Sequence, residues 1–404
     1  MDTLKYWVWI TQALGTANRR VWEVTRQYDD IIEAYKGITG GNFKGMTEKE
    51  ITAFKTTHIE QAEKLIEFCE KNEIRIICFD DEINYPNRLR EIYNPPTILF
   101  CYGGISYIDD SIALAVVGAR EPSEYSINVA EKICTELSSV GTVLVSGFAY
   151  GIDSIAHKSA LNQNGRTIAV LGSGIDYDYP KNNASIKKVL AKNGAVISEF
   201  FPGTKPFHEN FRQRNRLISA LSLGVLIVQA SPTSGSLNTA SHALQQGKDI
   251  FCIPPHDIFD EQYSGVISLL RDGAIPVFSH LDIMYEYYDN FSHKLSNNKL
   301  FDEYFLKKAD ITDNINKQAS IPKTTRNQNS VKTDISKRNE NTNIDYSGLS
   351  ENQAGIIKLL SNGALLADEI TVKLQKNISE VLTDLTELEI MGYVKSLAGK
   401  RYSL

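Results

Sequence analysis

Long hydrophobic runs are missing from this 404-residue chain. No apolar stretch approaches the roughly 20 residues that a bilayer-spanning helix needs. The amino terminus, Met1-Asp2-Thr3-Leu4-Lys5-Tyr6-Trp7, lacks the apolar core of a secretory signal. A cytoplasmic protein without membrane contact is therefore expected. Cysteine is scarce. Cys69, Cys78, Cys101, Cys134 and Cys252 are scattered, and none falls in a Cys-x-x-Cys spacing. That argues against a disulfide framework and predicts buried, reduced thiols. An excess of positive charge is also missing: 43 Lys and Arg face 49 Asp and Glu, for a net charge of −6. A generally basic nucleic-acid coat is thereby excluded, whereas a local basic groove is not, because binding depends on where the charge sits. No Walker A sequence, Ser–His–acid triad or metal-ligand cluster can be assembled. Gly172-Ser173-Gly174 lacks the third glycine of a dinucleotide fingerprint. The residues therefore predict no catalytic group, no metal and no cofactor.

What the chain does have is a series of short apolar runs that end in glycine. Ala113-Leu-Ala-Val-Val-Gly-Ala119, followed by Arg120, is the most telling. Such a run reads as a buried strand ending in a tight turn, and in an open parallel sheet that turn lies at the carboxyl edge, where ligands bind. Similar junctures follow at Thr142–Gly147, Thr167–Gly174 and Val225–Gly235. One sheet edge should then carry several loops whose backbone N–H groups can face an anion. Arg120, Lys181, Arg214 and Arg216 sit beside those loops, and the combination points to a phosphate-rich ligand.

At this length more than one domain is expected. Residues 1–70 carry Tyr6, Trp7, Trp9, Ile10, Leu14, Val21, Trp22 and Val24 at helical spacing. They predict a small helical domain of the SAM or helix-hairpin-helix kind. Residues 71–300 form the core. Within it, strands alternate with helices predicted at 124–139, 152–163, 182–192 and 236–246, the pattern of a parallel α/β sheet. Residues 311–349 are rich in Asn, Lys, Ser and Thr and read as a flexible linker. Residues 350–404 predict three helices and a terminal hairpin, a winged-helix domain. Its third helix carries Glu380, Asp384, Glu387 and Glu389. Acidic charge there repels DNA phosphates and favours protein contact.

Four segments carry the candidate chemistry. Ser146-Gly147-Phe148-Ala149-Tyr150-Gly151 opens a helix whose first N–H groups favour an anion. Within that helix, Asp153 reads as a helix cap and His157 as a packing residue, ahead of any acid–base role. Tyr177-Asp-Tyr-Pro-Lys181 places a cation beside ring faces suited to a base. Phe207–Ser219, with Arg212, Arg214 and Arg216, is the most basic run of the core and precedes an apolar helix; its planar donors suit phosphate oxygens. Ser234-Gly235-Ser236 opens another helix, either as caps or as donors to phosphate.

Taken in order, these motifs resemble the DNA-processing protein A family, also called Smf. The resemblance rests on Tyr85-Pro86, Pro95-Pro96, Val117-Gly-Ala-Arg120, Ser146-Gly-x-Ala-x-Gly-Ile-Asp153, Ala156-His157, Thr167–Gly172, Tyr179-Pro180, Ser198-Glu199, Arg214-Asn-Arg216 and Ser234-Gly-Ser236. It covers roughly residues 75–285. It implies an extended Rossmann-like parallel core that binds single-stranded DNA, self-associates as a homodimer and passes the strand to a RecA-type recombinase in transformation or recombination. The resemblance puts Arg120 and Lys181 on the DNA and Arg214-Asn215-Arg216 in the same pocket. With the glycine turns, the expected DNA-binding set is Gly118, Arg120, Ser146, Gly147, Gly151, Gly172, Gly174, Lys181, Arg214, Asn215, Arg216, Ser234, Gly235 and Ser236. The chain departs from the family pattern at Ala119, Ser126, Arg212-Gln213, Gln229, Pro254-Pro255 and the Gly265 segment.

A second reading is a Rossmann-like enzyme that binds or hydrolyses a nucleotide, with a place in phage defence. Glu199, Asp176 and Asp178 would be its acid or base groups. A third is a protein scaffold acting through the winged helix.

Overall fold

The computed structural model describes residues 3–180, 184–291, 349–361, 363, 365–374, 376–397 and 401–403. The chain divides into two units, Met1–Ile321 and Pro322–Leu404. The linker expected over 311–349 lies almost wholly outside the described residues.

The first unit opens with helices α1 (Leu4–Leu14), α2 (Arg20–Thr25), α3 (Ile31–Thr39), α4 (Glu48–Thr56) and α5 (Ile59–Lys71). Next come β1 (Arg75–Cys78), α6 (Asn87–Arg90) and β2 (Ile98–Gly103). The alternating part runs β3 (Ala113–Val117), α7 (Glu124–Ser139), β4 (Val143–Ser146), α8 (Ile152–Asn162), β5 (Thr167–Leu171), α9 (Ala184–Asn193) and β6 (Ala195–Ser198). It continues with α10 (His208–Ala220), β7 (Gly224–Ile227), α11 (Gly235–Gln245), β8 (Asp249–Cys252), α12 (Ser264–Arg271), β9 (Ile275–Pro276) and α13 (His280–Phe291).

These strands form one nine-stranded sheet in the order β1-β2-β6-β5-β4-β3-β7-β8-β9. From β6 to β9 every pairing is parallel; β2 joins β6, and β1 joins β2, in antiparallel register. The parallel Rossmann-like core expected from the strand–glycine junctures is thus present. Its strands are buried on both faces, which is why they read as continuous apolar runs rather than alternating ones.

Register explains the layers. In β3, Ala113, Ala115 and Val117 pack with Leu217 of α10, Leu221 at its C-cap, Ala240 of α11 and Val266 of α12. Leu114 and Val116 face the opposite side with Ile133 and Leu137 of α7, Ala156 of α8 and Met284 of α13. The other half of that opposite face, through Ile98, Phe100, Ala169, Leu171 and Val196, is covered by Trp7, Trp9, Ile10, Val24 and Ile38 of the N-terminal helices. These helices therefore complete the core of the sheet. The three tryptophans anchor them: Trp7, Trp9 and Trp22 donate their indole N–H to Asp80, the Thr57 carbonyl and the Pro95 carbonyl at 2.7–2.9 Å.

The second unit contains α14 (Glu351–Leu360), β10 (Leu365–Leu366), α15 (Ala367–Leu374), α16 (Ile378–Ile390), β11 (Lys395–Leu397) and β12 (Arg401–Ser403). The strands pair β10-β12-β11, all antiparallel. Ser350 and Gln353 cap α14 reciprocally. Ile356, Ile357, Leu360, Ile370, Val381, Leu385, Leu388 and Val394 form its core. This is a winged helix, with one short strand more than the sequence reading expects.

Candidate nucleic-acid interface

The chain leaves β3 toward β4, β5 and β6, then returns to the other side of β3 with β7. The loops after β3 and β7 therefore diverge, and a crevice opens between them at the carboxyl ends of the strands. A cleft of about 450 Å³ lies there. Its walls are Gly118–Glu121 after β3, Gln229 and Ser231 after β7, Ser234–Ser236 at the start of α11, and Phe211, Arg212, Arg214 and Asn215 of α10.

Two glycines make this edge possible. Gly151 has φ +73°, and a Cβ there would lie 2.3 Å from the Ala119 carbonyl oxygen. Only glycine lets the start of α8 lie against the 119–120 backbone, where the Ile152 N–H donates to the Ala119 carbonyl at 3.2 Å. Gly172 is the seat of the Phe211 ring, whose Cδ1 would lie 2.6 Å from a Cβ. Gly118 and Gly235 line the cleft.

Arg214 is fully built in. Its Nη1 donates to the carbonyls of Gly147 (2.6 Å) and Val170, and its Nε donates to Asn215 Oδ1 at 3.2 Å. Burial lowers its pKa to about 10, while the Asp153 charge works against that shift. It stays cationic at neutral pH and holds the β4 and β5 ends together. Asp153 Oδ2 accepts from the N–H groups of Gly147 (3.1 Å) and Ala149 (3.2 Å). Burial raises the Asp153 pKa, with Arg214 opposing. The 147–151 turn thus spends two of its N–H donors on its own helix cap. Gly174 likewise donates to the Thr204 carbonyl at 2.9 Å. Three of the amides expected to be open at these turns, those of Gly147, Ala149 and Gly174, are already occupied. His157 is buried, with Nδ1 2.7 Å from Thr167 Oγ1; burial, then Arg214, lowers its pKa to about 3. It is a neutral packing residue, as its sequence context predicts.

Arg120 is an exposed cation of the cleft. Its guanidinium lies 5.6 Å from the Phe211 ring centre, and Arg214 lies 5.7 Å from the same ring. Tyr179 packs on Phe211 at 5.4 Å between ring centroids. Arg212 adds a second exposed cation to the lining, and Glu121 an exposed carboxylate. Asn215 donates to the Gly235 carbonyl and Asn238 Oδ1, both at 3.3 Å, tying α10 to α11. The Ser234 hydroxyl accepts from the Ser236 N–H at 3.4 Å, so it caps α11 at the cleft wall.

Not every expected residue reaches this cleft. The basic run does not precede a helix; it is the helix α10, because its apolar residues Leu217 and Ile218, with Leu221 at the C-cap, anchor it to the sheet. Arg216 consequently points away from the cleft. Its Nη2 donates to both oxygens of buried Glu199 at 2.7 Å. Ser146 is buried, and its hydroxyl donates to the Val116 carbonyl at 2.6 Å, locking β4 to β3. Lys181 lies outside the described residues.

The sequence reading leaves out the far wall of the cleft. Gln229 accepts from the Ser123 N–H at 2.9 Å and donates to Gln262 at 2.8 Å. Gln262 comes from the turn before α12, and no local motif marks it. Among the described residues, no group of three or more His, Cys, Asp or Glu side chains is placed to hold a metal.

In the winged helix, Gln353 donates to Glu387 at 2.6 Å, and Glu387 and Glu380 add to the burial that raises the Asp384 pKa. The third helix thus carries concentrated negative charge, a poor match for a DNA groove.

Comparison with known proteins agrees with this architecture. Residues 75–288 match the family model described as DNA recombination-mediator protein A, and residues 345–400 match the DprA winged helix domain. DNA processing protein DprA of Bacillus subtilis (strain 168) is 39% identical over 202 residues, 50% of this chain and 68% of that protein. The crystal structure of DNA processing protein A from Streptococcus pneumoniae aligns with TM-score 0.61 and 30% identity, covering 71% of this chain and 99% of that one. A Helicobacter pylori DNA processing protein A, studied for its single-stranded DNA binding mode, aligns with TM-score 0.48 and 31% identity over 54% of this chain and 97% of that one. With a family model spanning more than half its length on a matching fold, the chain belongs to the DNA recombination-mediator protein A family.

Proposed function

We propose that the switch-point cleft binds single-stranded DNA, and that the protein is a non-enzymatic, cytoplasmic mediator. In this reading it works as a homodimer and hands the strand to a RecA-type recombinase. The observation that carries the reading is Arg120, an exposed cation in a glycine-walled cleft, set over an aromatic ring that the buried Arg214 holds from behind. A strand laid there meets charge for its phosphates and rings for its bases. Gly118, Arg120, Asn215, Ser234, Gly235 and Ser236 line the contact. Gly147, Gly151, Gly172, Gly174, Ser146, Arg214 and Arg216 shape it from behind, and Lys181, which follows β5 in the sequence, is a further proposed DNA contact.

The state of the acidic groups supports binding over nucleotide hydrolysis. Glu199 is buried and held through both oxygens by Arg216. None of Glu199, Asp176 and Asp178 lines the cleft. A general base must lie within hydrogen-bond reach of the proton it removes.

The test is a salt titration of a short single-stranded oligonucleotide. Binding should weaken as salt rises. Arg120→Ala and Lys181→Ala should each weaken it further and reduce the salt slope by about one phosphate contact. Absence of binding at low salt would refute the reading. Conversion of nucleoside monophosphates or NAD by the protein would favour the hydrolase instead.

A further inference from the structure

Two aromatic side chains next in sequence to residues that line the cleft are left unburied by the fold. Tyr150 is 54% exposed and Phe207 is 60% exposed. Tyr150 follows Ala149, which lines the cleft, and precedes Gly151, where an added Cβ would meet the carbonyls of Ala119 and Arg120. Phe207 is the extended residue just before α10, next to His208, which also lines the cleft. Phe211 is already engaged by Arg120, Arg214 and Tyr179. A single exposed apolar side chain needs no explanation. Two exposed rings, each adjacent in sequence to a residue that lines the same cleft, do, because water around both is a standing cost that a flat apolar ligand would relieve.

We infer that Tyr150 and Phe207 are base-stacking platforms at the rim of the cleft that holds Arg120. Resting on the single-strand reading above, this deepens it: Arg120 takes a phosphate, and the two rings take the faces of flanking bases. The protein then prefers strands whose bases are unpaired, since bases inside a duplex have no free face to offer. Stacking accepts every base alike, so the preference is for single-strandedness and not for sequence.

The experiment uses the full chain, an oligothymidylate, and a strand of the same length in which the bases are replaced by abasic sites. Tyr150→Leu and Phe207→Leu keep an apolar side chain at each position, and unchanged melting temperatures check that they fold. Each should weaken oligothymidylate binding roughly five- to a hundredfold. Each should leave the salt slope as in the wild type and leave abasic-strand binding unchanged. Tyr150→Phe should retain wild-type affinity. A 2-aminopurine placed in the strand should be quenched on binding to the wild type, and less so on binding to the leucine variants. If both leucine variants bind both strands as the wild type does while Arg120→Ala still weakens them, the platform assignment is wrong and the strand-binding reading stands. If the wild type binds neither strand, both fall.

Discussion

Arg120 and Arg214 have the same side chain and opposite situations. Arg214 is buried and donates to two strand-end carbonyls, whereas Arg120 is exposed at the cleft. One shapes the rim and the other is available to a ligand. His157 illustrates a different cost at the same scale. Its folded-state pKa of about 3 lies below the ordinary 6.5 because burial penalises the imidazolium. Below pH 6.5 the unfolded chain takes up a proton that the folded chain refuses. Stability from this group is therefore complete above that pH and declines as pH falls toward about 3. Near pH 5.5 the loss should be on the order of 1 kcal/mol. Asp153 has the opposite sign: its raised pKa makes folding more favourable as pH falls. Comparing urea unfolding of the wild type with His157→Gln at neutral pH and near pH 5.5 cancels Asp153 and isolates the histidine. The wild type should lose on the order of 1 kcal/mol more than the variant, and equal losses would show that His157 does protonate in the fold.

At the scale of elements, α10 decides which cations serve the cleft. Residues two apart on a helix point to nearly opposite sides. Arg214 therefore turns to Gly147 and Val170, and Arg216 turns to Glu199. The run of arginines is legible in the sequence as a basic cluster. Which arginine faces the ligand is not, because that depends on the face of α10 that Leu217 and Leu221 press onto the sheet. Glu199→Gln removes one charge of a buried pair and leaves the Arg216 cation uncompensated. Thermal or denaturant unfolding should reveal a loss of about 3–5 kcal/mol. Oligonucleotide affinity of the folded variant should be unchanged, since neither side chain lines the cleft. A stable variant that has lost DNA binding would place the pair in the interface.

At the scale of the molecule, the two units carry different surfaces. The first presents the cleft. The second is a winged helix whose third helix is acidic, with Ile378 and Leu382 partly exposed on it at 36% and 43%. Phosphates are repelled there, so removing residues 345–404 should leave the affinity for a short single strand intact in a titration at fixed salt. A drop in affinity would assign the terminal domain a direct part in holding DNA. If the terminal domain serves a protein partner, recombination activity should fall in the same truncated chain.

The sequence alone determined the parallel α/β core, the helical amino-terminal region and the winged helix. Apolar runs that end in glycine, helical periodicity and capping residues are local signals, and each element carries its own. It also determined that cations gather near the carboxyl edge. Only the tertiary structure decided the rest. The strand order put β7 beside β3 and so created the crevice. Packing sent Arg216 and Ser146 into the interior, brought Gln229 and Gln262 together across 33 positions, and gave the amides of the glycine turns to Asp153 and Thr204. These outcomes depend on which distant backbone and side-chain groups meet, and no stretch of contiguous residues encodes such a meeting.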